Sequence, residues 1–168
     1  MEPIFSNACS QTKENLLEMI KATVPAWYKL YCRIFAVLFV VMAAVLVFIE
    51  QYLFAVIFLV LAAAILAVYN RKISSAAKKT WQKNFDQYKK DVETRIFFYE
   101  DSIVGKNLQT GNAVRTEYEK IEKIVETPSL YVLVFLKNIA ILVDKKGFIS
   151  DNGADFAEFI KKKCVNAK

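Results

Sequence analysis

A chain of 168 residues has room for one modest domain, or for a small domain and a membrane anchor. Apolar residues make up 55% of it, 24% is charged and the net charge is +6. Soluble domains are about 45–50% apolar with a similar charged share, so the apolar excess here must be segregated. A disordered chain is excluded. Three unclustered cysteines (Cys9, Cys32 and Cys164) exclude a disulfide framework, and the lack of histidine removes the commonest general base and zinc ligand.

In chain order, residues 1–29 read as an N-terminal segment with one short amphipathic helix. Leu16, Leu17, Ile20 and Val24 share a side of it, Thr12 can cap it, and Pro25 ends it. Residues 34–49 and 52–69 are then unbroken apolar runs, parted only by Glu50 and Gln51. A spanning helix needs about 20 such residues, so 30–69 is expected to be a two-helix transmembrane hairpin. Lys29 and Arg33 would snorkel to headgroups, with Trp27, Tyr28, Tyr31 and Tyr69 as interfacial anchors. The runs are too long and start too late for a signal sequence. In a hairpin turning between Glu50 and Gln51, residues at equal depth have numbers summing to 101, which sets Ala43 against Phe58 and Phe39 against Ala62. Small-against-large packing of that kind is how membrane helices associate; scattered lipid-facing residues are the alternative.

Charge sets the expected topology. The turn holds only Glu50, while Lys29 and Arg33 precede the first span and Arg71, Lys72, Lys79 and Lys83 follow the second. The positive-inside rule then places both termini in the cytoplasm of an inner (plasma) membrane protein. Residues 70–91 carry seven basic and two acidic groups, so the net charge is almost wholly beside the span. Residues 70–92 form a basic amphipathic helix whose stripe is Ile73, Ala77, Trp81, Phe85, Tyr88 and Val92. Two fates are open to it. It can lie on anionic lipid, each cation contributing about 1 kcal/mol, or leave the membrane as a stalk against the N-terminal helix. The same depth sum sets Ile20 level with Trp81, Leu16 with Phe85 and Glu18 with Lys83, which favours the stalk.

From Glu93 the period changes to short apolar runs bounded by turn signals. Strands are expected at 95–99, 103–108, 113–118, about 121–125, 131–136 and 139–143, with hairpin turns at Thr110-Gly111-Asn112 and Lys137-Asn138. A closing helix carries Phe156, Phe159, Ile160 and Cys164 on one face, with Lys161, Lys162 and Lys163 at its dipole-favoured end. Residues 93–168 thus read as a small antiparallel roll plugged by a helix. Its expected core is Ile96, Phe98, Ile103, Ile121, Val132, Val134, Leu142, Phe156 and Phe159, with strand register open by one residue.

The FYED turn at 98–101, the Tyr118–Ile121 segment, Lys123-Ile124, Lys137-Asn138 between apolar strands and Lys146-Gly147-Phe148 before FAEFI resemble the bacterial YcxB-like membrane protein family. The resemblance extends over most of the chain, since that family also places two spans before such a domain. It implies a cytoplasmic domain like the pleckstrin-homology fold and brings no catalytic residues. The residues agree: no phosphate-binding loop follows Gly105 and Gly111, and no GxSxG motif or activated nucleophile occurs. No enzyme activity, cofactor, metal or nucleic-acid partner is expected. The expected function is a membrane-anchored module binding a cytoplasmic protein or peptide. The alternatives are a sensor or organiser of anionic lipid surfaces and an accessory subunit of a membrane complex.

Overall fold

The computed structural model describes residues 2–135, 139–149 and 151–164. It divides the chain into two compact units, Val24–Ala76 and the combination of Met1–Thr23 with Ala77–Lys168. The N-terminal segment therefore belongs with the C-terminal domain, which corrects the expectation of a self-contained domain from residue 93. The expected turn at Lys137-Asn138 lies outside the described residues.

The first of these units is the helical hairpin. After α1 (Lys13–Thr23), α2 (Ala26–Phe48) and α3 (Tyr52–Tyr88) are both long and apolar enough to cross a membrane, and only 11% of each apolar window is buried. That exposure separates them from the core helices of a soluble protein. α2 ends because Glu50 takes a left-handed φ of 61°. The Glu50 N–H then returns to Val47 C=O and the Gln51 N–H to Leu46 C=O, the paired bonds that close a helix C-terminus. Ala36 and Ala43 on α2, and Ala55 and Ala62 on α3, are the buried alanines. Each pair steps by seven, the repeat of a left-handed helix pair. Phe39 meets Phe58 edge-on at 5.6 Å, where the depth sum set it against Ala62. Tyr28 meets Tyr69 at 5.8 Å. Both ring pairs have numbers summing to 97, so the register is displaced by about one turn from the symmetric hairpin.

The second unit is built on two antiparallel sheets. One has the order β1 (Phe5–Ser10), β2 (Glu93–Phe98), β3 (Ser102–Asn107), β4 (Ala113–Glu117); the other has β5 (Ile121–Glu126), β6 (Leu130–Phe135), β7 (Ile139–Asp144). Helix α4 (Phe156–Lys163) follows a short 3-10 turn. Six strands and the closing helix lie within a residue or two of their expected places. β1 is the addition. It pairs with β2 from Phe5↔Phe98 to Ser10↔Glu93, so everything from Gln11 to Val92 is an insertion between two neighbouring strands.

β1 also ties the two sheets together. Asn7 is fully buried; its Nδ2 donates to Asp144 C=O at 2.7 Å, and its Oδ1 accepts from the Asp144 N–H at 3.1 Å. Ala8 N–H donates to Gly147 C=O, and Ile149 N–H to Ser6 C=O. A Cβ on Gly147 would come within 2.0 Å of the Ala8 carbonyl oxygen, so this crossing admits only glycine.

The core has two parts, one on each face of the second sheet. Between the sheets lie Phe5, Ile96, Phe98, Ile103, Ile121, Leu133, Val143, Phe156 and Ile160. On the outer face, Leu130, Val132, Val134 and Leu142 are covered by Leu16, Met19 and Ala22 of α1. Val132, Val134 and Leu142 are buried as expected but on the opposite face, because β6 is apolar on both sides and period-two alternation cannot tell them apart. Phe159 is only half-buried.

The same arrangement corrects the stalk. The main contacts of α1 are with β6 and β7. Glu18 accepts hydrogen bonds from the Ser129 N–H at 2.9 Å and its hydroxyl at 2.5 Å, in place of the expected pairing with Lys83. Partial burial pushes the Glu18 carboxyl up, but the bonds from Ser129 and Thr127 hold it below its ordinary value. Leu16 is buried and Ile20 half-buried. Trp81 reaches the outer cluster from α3, stacks on Phe85 at 5.0 Å and donates Nε1–H to Asp91 at 2.7 Å.

Asn7→Ala leaves the Asp144 N–H without its partner and the Asp144 C=O with only the Gly147 N–H, and should cost about 1–3 kcal/mol. Thermal or urea unfolding of the detergent-solubilised chain measures this, and Gly147→Ala should lower the midpoint too. Midpoints equal to wild type in both variants would contradict the closure described.

Candidate functional site

Alternation along the first sheet aims one residue in two between the sheets. On β2 these are Thr94, Ile96 and Phe98; on β3 Ile103, Gly105 and Asn107; and Asn112, Val114 and Thr116 lead into and along β4, as the pairs Ile96↔Gly105 and Gly105↔Val114 require. The apolar members gather at one end, where Phe98, Ile103, Phe156 and Ile160 fill the interior. The small and polar members gather at the other. There Thr94, Gly105, Asn107, Asn112, Val114 and Thr116 face Phe135, Ile139 and Ile141 across an open pocket of about 630 Å³.

That volume is in the range of about 300–1,000 Å³ usual for ligand sites. Gly105 contributes to the space directly, since a Cβ there would meet nothing within 4 Å. Tyr88, Thr110 and Lys120 also line it, and among the described residues the lining holds no carboxylate. Asn107 Oδ1 accepts from the N–H groups of Gln109 and Thr110 and so fixes the β3–β4 turn. The side chains of Thr94, Asn112 and Thr116 make no hydrogen bond to another described residue, which leaves three neutral polar groups at an apolar cavity. Val114 and Ile139 are 67% and 62% exposed, a high value for aliphatic side chains on paired strands. A smaller recess of about 70 Å³ shares Thr94, Gly105 and Ile141 and reaches Cys9 and Leu142.

None of the pocket residues was read from the sequence as part of a binding site: Tyr88 was placed on a helix stripe, Thr110 and Asn112 in a hairpin turn, and Gly105 was set aside as no phosphate-binding loop. The signal was present: Gly105 sits mid-strand, and Thr94, Asn107 and Thr116 fall where alternation calls for apolar residues. The residues that were singled out lie elsewhere. Arg33, Arg71, Lys72, Lys79 and Lys83 are exposed and Lys29 is half-buried. Trp81 and Phe85 belong to the side of the domain covered by α1. Ala43 and Ala62 are buried in the hairpin, where Phe39 packs on Phe58.

Among the described residues no cluster of three His, Cys, Asp or Glu could hold a metal ion. Burial pushes the Cys9 thiol up to about 12 and the Cys164 thiol up to about 11, so both are poor nucleophiles. Tyr118, raised first by burial, donates its hydroxyl to Tyr99 C=O at 2.6 Å and serves the core.

The family model described as YcxB-like protein matches residues 98–162. The match runs from the end of β2 through the pocket strands β3, β4, β6 and β7 into α4, and is narrower than the resemblance read from the sequence because it leaves out the hairpin. No curated protein and no solved structure matches the chain. The segment from Phe98 to Lys162 is thus similar to the YcxB-like family, and it carries most of the pocket.

Proposed function

We propose that this is a bacterial inner-membrane protein that presents a pleckstrin-homology-like module on the cytoplasmic side and binds a protein or peptide segment there, without catalysis. A four-strand sheet, then a three-strand sheet, then a closing helix is the order such a module has, with the membrane hairpin inserted after its first strand. The observation that carries the binding reading is the open half of the sheet interior, a cavity of about 630 Å³ with apolar walls and uncommitted polar groups at Thr94, Asn112 and Thr116. A lining with no carboxylate among the described residues, in a chain with no histidine, favours recognition over acid–base chemistry. The exposed cations Arg71, Lys72, Lys79 and Lys83 favour a second reading, recruitment of anionic lipid.

A photoreactive amino acid placed at Val114 or Ile139, irradiated in native membranes, distinguishes the two. The binding reading expects a discrete protein adduct that disappears when Gly105→Leu fills the cavity and that a control probe at Glu122 does not give. Adducts to lipid alone, or the same adduct from Glu122, would contradict it.

Orientation is tested by labelling from outside intact cells. Buried Cys9 and Cys164 do not react, so only Cys32 need be replaced, by serine. A cysteine at Gln51 should react with an impermeant reagent and one at Gln109 should not. The reverse pattern would overturn the cytoplasmic placement.

A further inference from the structure

Resting on the pocket reading above, we propose that the occupant is an extended polypeptide strand. It adds to the free edge of β4, sends alternate apolar side chains into the pocket, and turns acidic side chains outward. β4 is the last strand of its sheet, so one of its edges has no strand partner among the described residues. The groups at that edge can be named. Asn107 N–H donates to Asn112 C=O at 2.9 Å. Hydrogen-bonded and non-bonded pairs alternate along antiparallel strands, so Gly105–Val114 and Ile103–Thr116 are the next bonded pairs. Ala113, Arg115 and Glu117 therefore turn their N–H and C=O groups to the open side. The intervening side chains, Val114 and Thr116, are the ones that line the pocket.

Edge strands are usually blunted against pairing. β5, the edge of the other sheet, is blunted: its register shifts at a bulge between Ile121 and Lys123. β4 pairs with β3 over five residues without a shift and carries no proline. A regular edge, blunted only by its shortness and by the charges of Arg115 and Glu117, lies beside an open apolar pocket on one strand, and a partner strand explains the two together. Its inward side chains would meet Val114 on one side and Ile139 and Ile141 on the other.

Charge selects the composition of that strand. On the outer face of the sheet, Arg95 and Lys106 are directly opposed in register, and neither has an ion-pair partner among the described residues. Like charges placed opposite one another are destabilising. Outward side chains of an added strand would lie beside Ala113, Arg115, which already holds Asp101 at 2.9 Å, and Glu117; at the Ala113 end they come within reach of Lys106, where a carboxylate relieves the repulsion. An alternating apolar–acidic segment is the complementary partner.

The test uses the full chain in nanodiscs and a fluorescent, capped octapeptide of alternating valine and glutamate, read by anisotropy. Binding should weaken at least tenfold with Gly105→Leu, which fills the cavity. It should weaken equally with Arg115→Pro, which removes an edge N–H that the β3–β4 ladder does not use. A peptide N-methylated on alternate residues, which cannot pair along its backbone, should not bind the wild-type chain. If Gly105→Leu abolishes binding while Arg115→Pro and N-methylation leave it intact, strand addition is overturned and the pocket reading stands. If the peptide binds all variants alike, or not at all, strand addition is overturned, and the photoadduct at Val114 decides the pocket reading separately. A concentration-dependent dimer that Arg115→Pro dissolves would replace the partner strand with β4 of a second copy.

Discussion

The two hydrogen bonds between the Asn7 side chain and the Asp144 main chain are the constraint on which the domain depends. An amide side chain offers N–H donors beside a carbonyl acceptor, as a peptide unit offers one of each, so Asn7 acts as one more rung of backbone pairing where the sheets diverge. An apolar residue there would strand the Asp144 N–H away from water and leave its C=O only the Gly147 N–H, and a charged residue would be unpaired in a fully buried position. Gly147 permits the same crossing from the other side by leaving the Ala8 carbonyl room.

The chain meets this constraint across an unusual distance, because the membrane hairpin is inserted between β1 and β2. Loop closure over so long a segment carries an entropic cost and slows pairing. The hairpin reduces that cost. Tyr28 and Tyr69 are in ring contact, so once α2 and α3 are packed the effective loop from β1 to β2 shrinks to the two short stretches outside them. Burial then distributes itself around the second sheet. β6, apolar on both faces, is covered by the interior cluster and by α1, and Glu18 fixes α1 through Ser129. At the far end of the sheets no comparable apolar set remains, and the pocket lined by Thr94, Gly105 and Thr116 stays open.

The spans, the six later strands and α4 were legible because each rests on local periodicity: unbroken apolar runs, alternation, and a stripe of Phe156, Ile160 and Cys164. β1 was not. Phe5, Asn7 and Cys9 do alternate, but FSNACS is short and polar, and its partner lies beyond the hairpin. The face of β6 was misjudged because Leu130, Val132 and Val134 are as apolar as Leu133 and Phe135. The stalk was misjudged for a related reason. Leu16 and Trp81 share a cluster, yet the main contacts of α1 are with β6 and β7. The pocket was overlooked because an empty site is marked by residues that fail to be apolar, and Thr94 and Gly105 carry that mark only once the register is known.

The account stands or falls on β1 as a structural member of a domain otherwise encoded after the hairpin. The direct measurement compares residues 77–168 alone with the same segment preceded by residues 2–23 through a flexible Gly/Ser linker. The linked form should unfold cooperatively in urea with a dispersed amide spectrum, and residues 77–168 alone should give a broad, non-cooperative transition. Equal midpoints and equal cooperativity in the two forms would contradict the claim that β1 closes the fold.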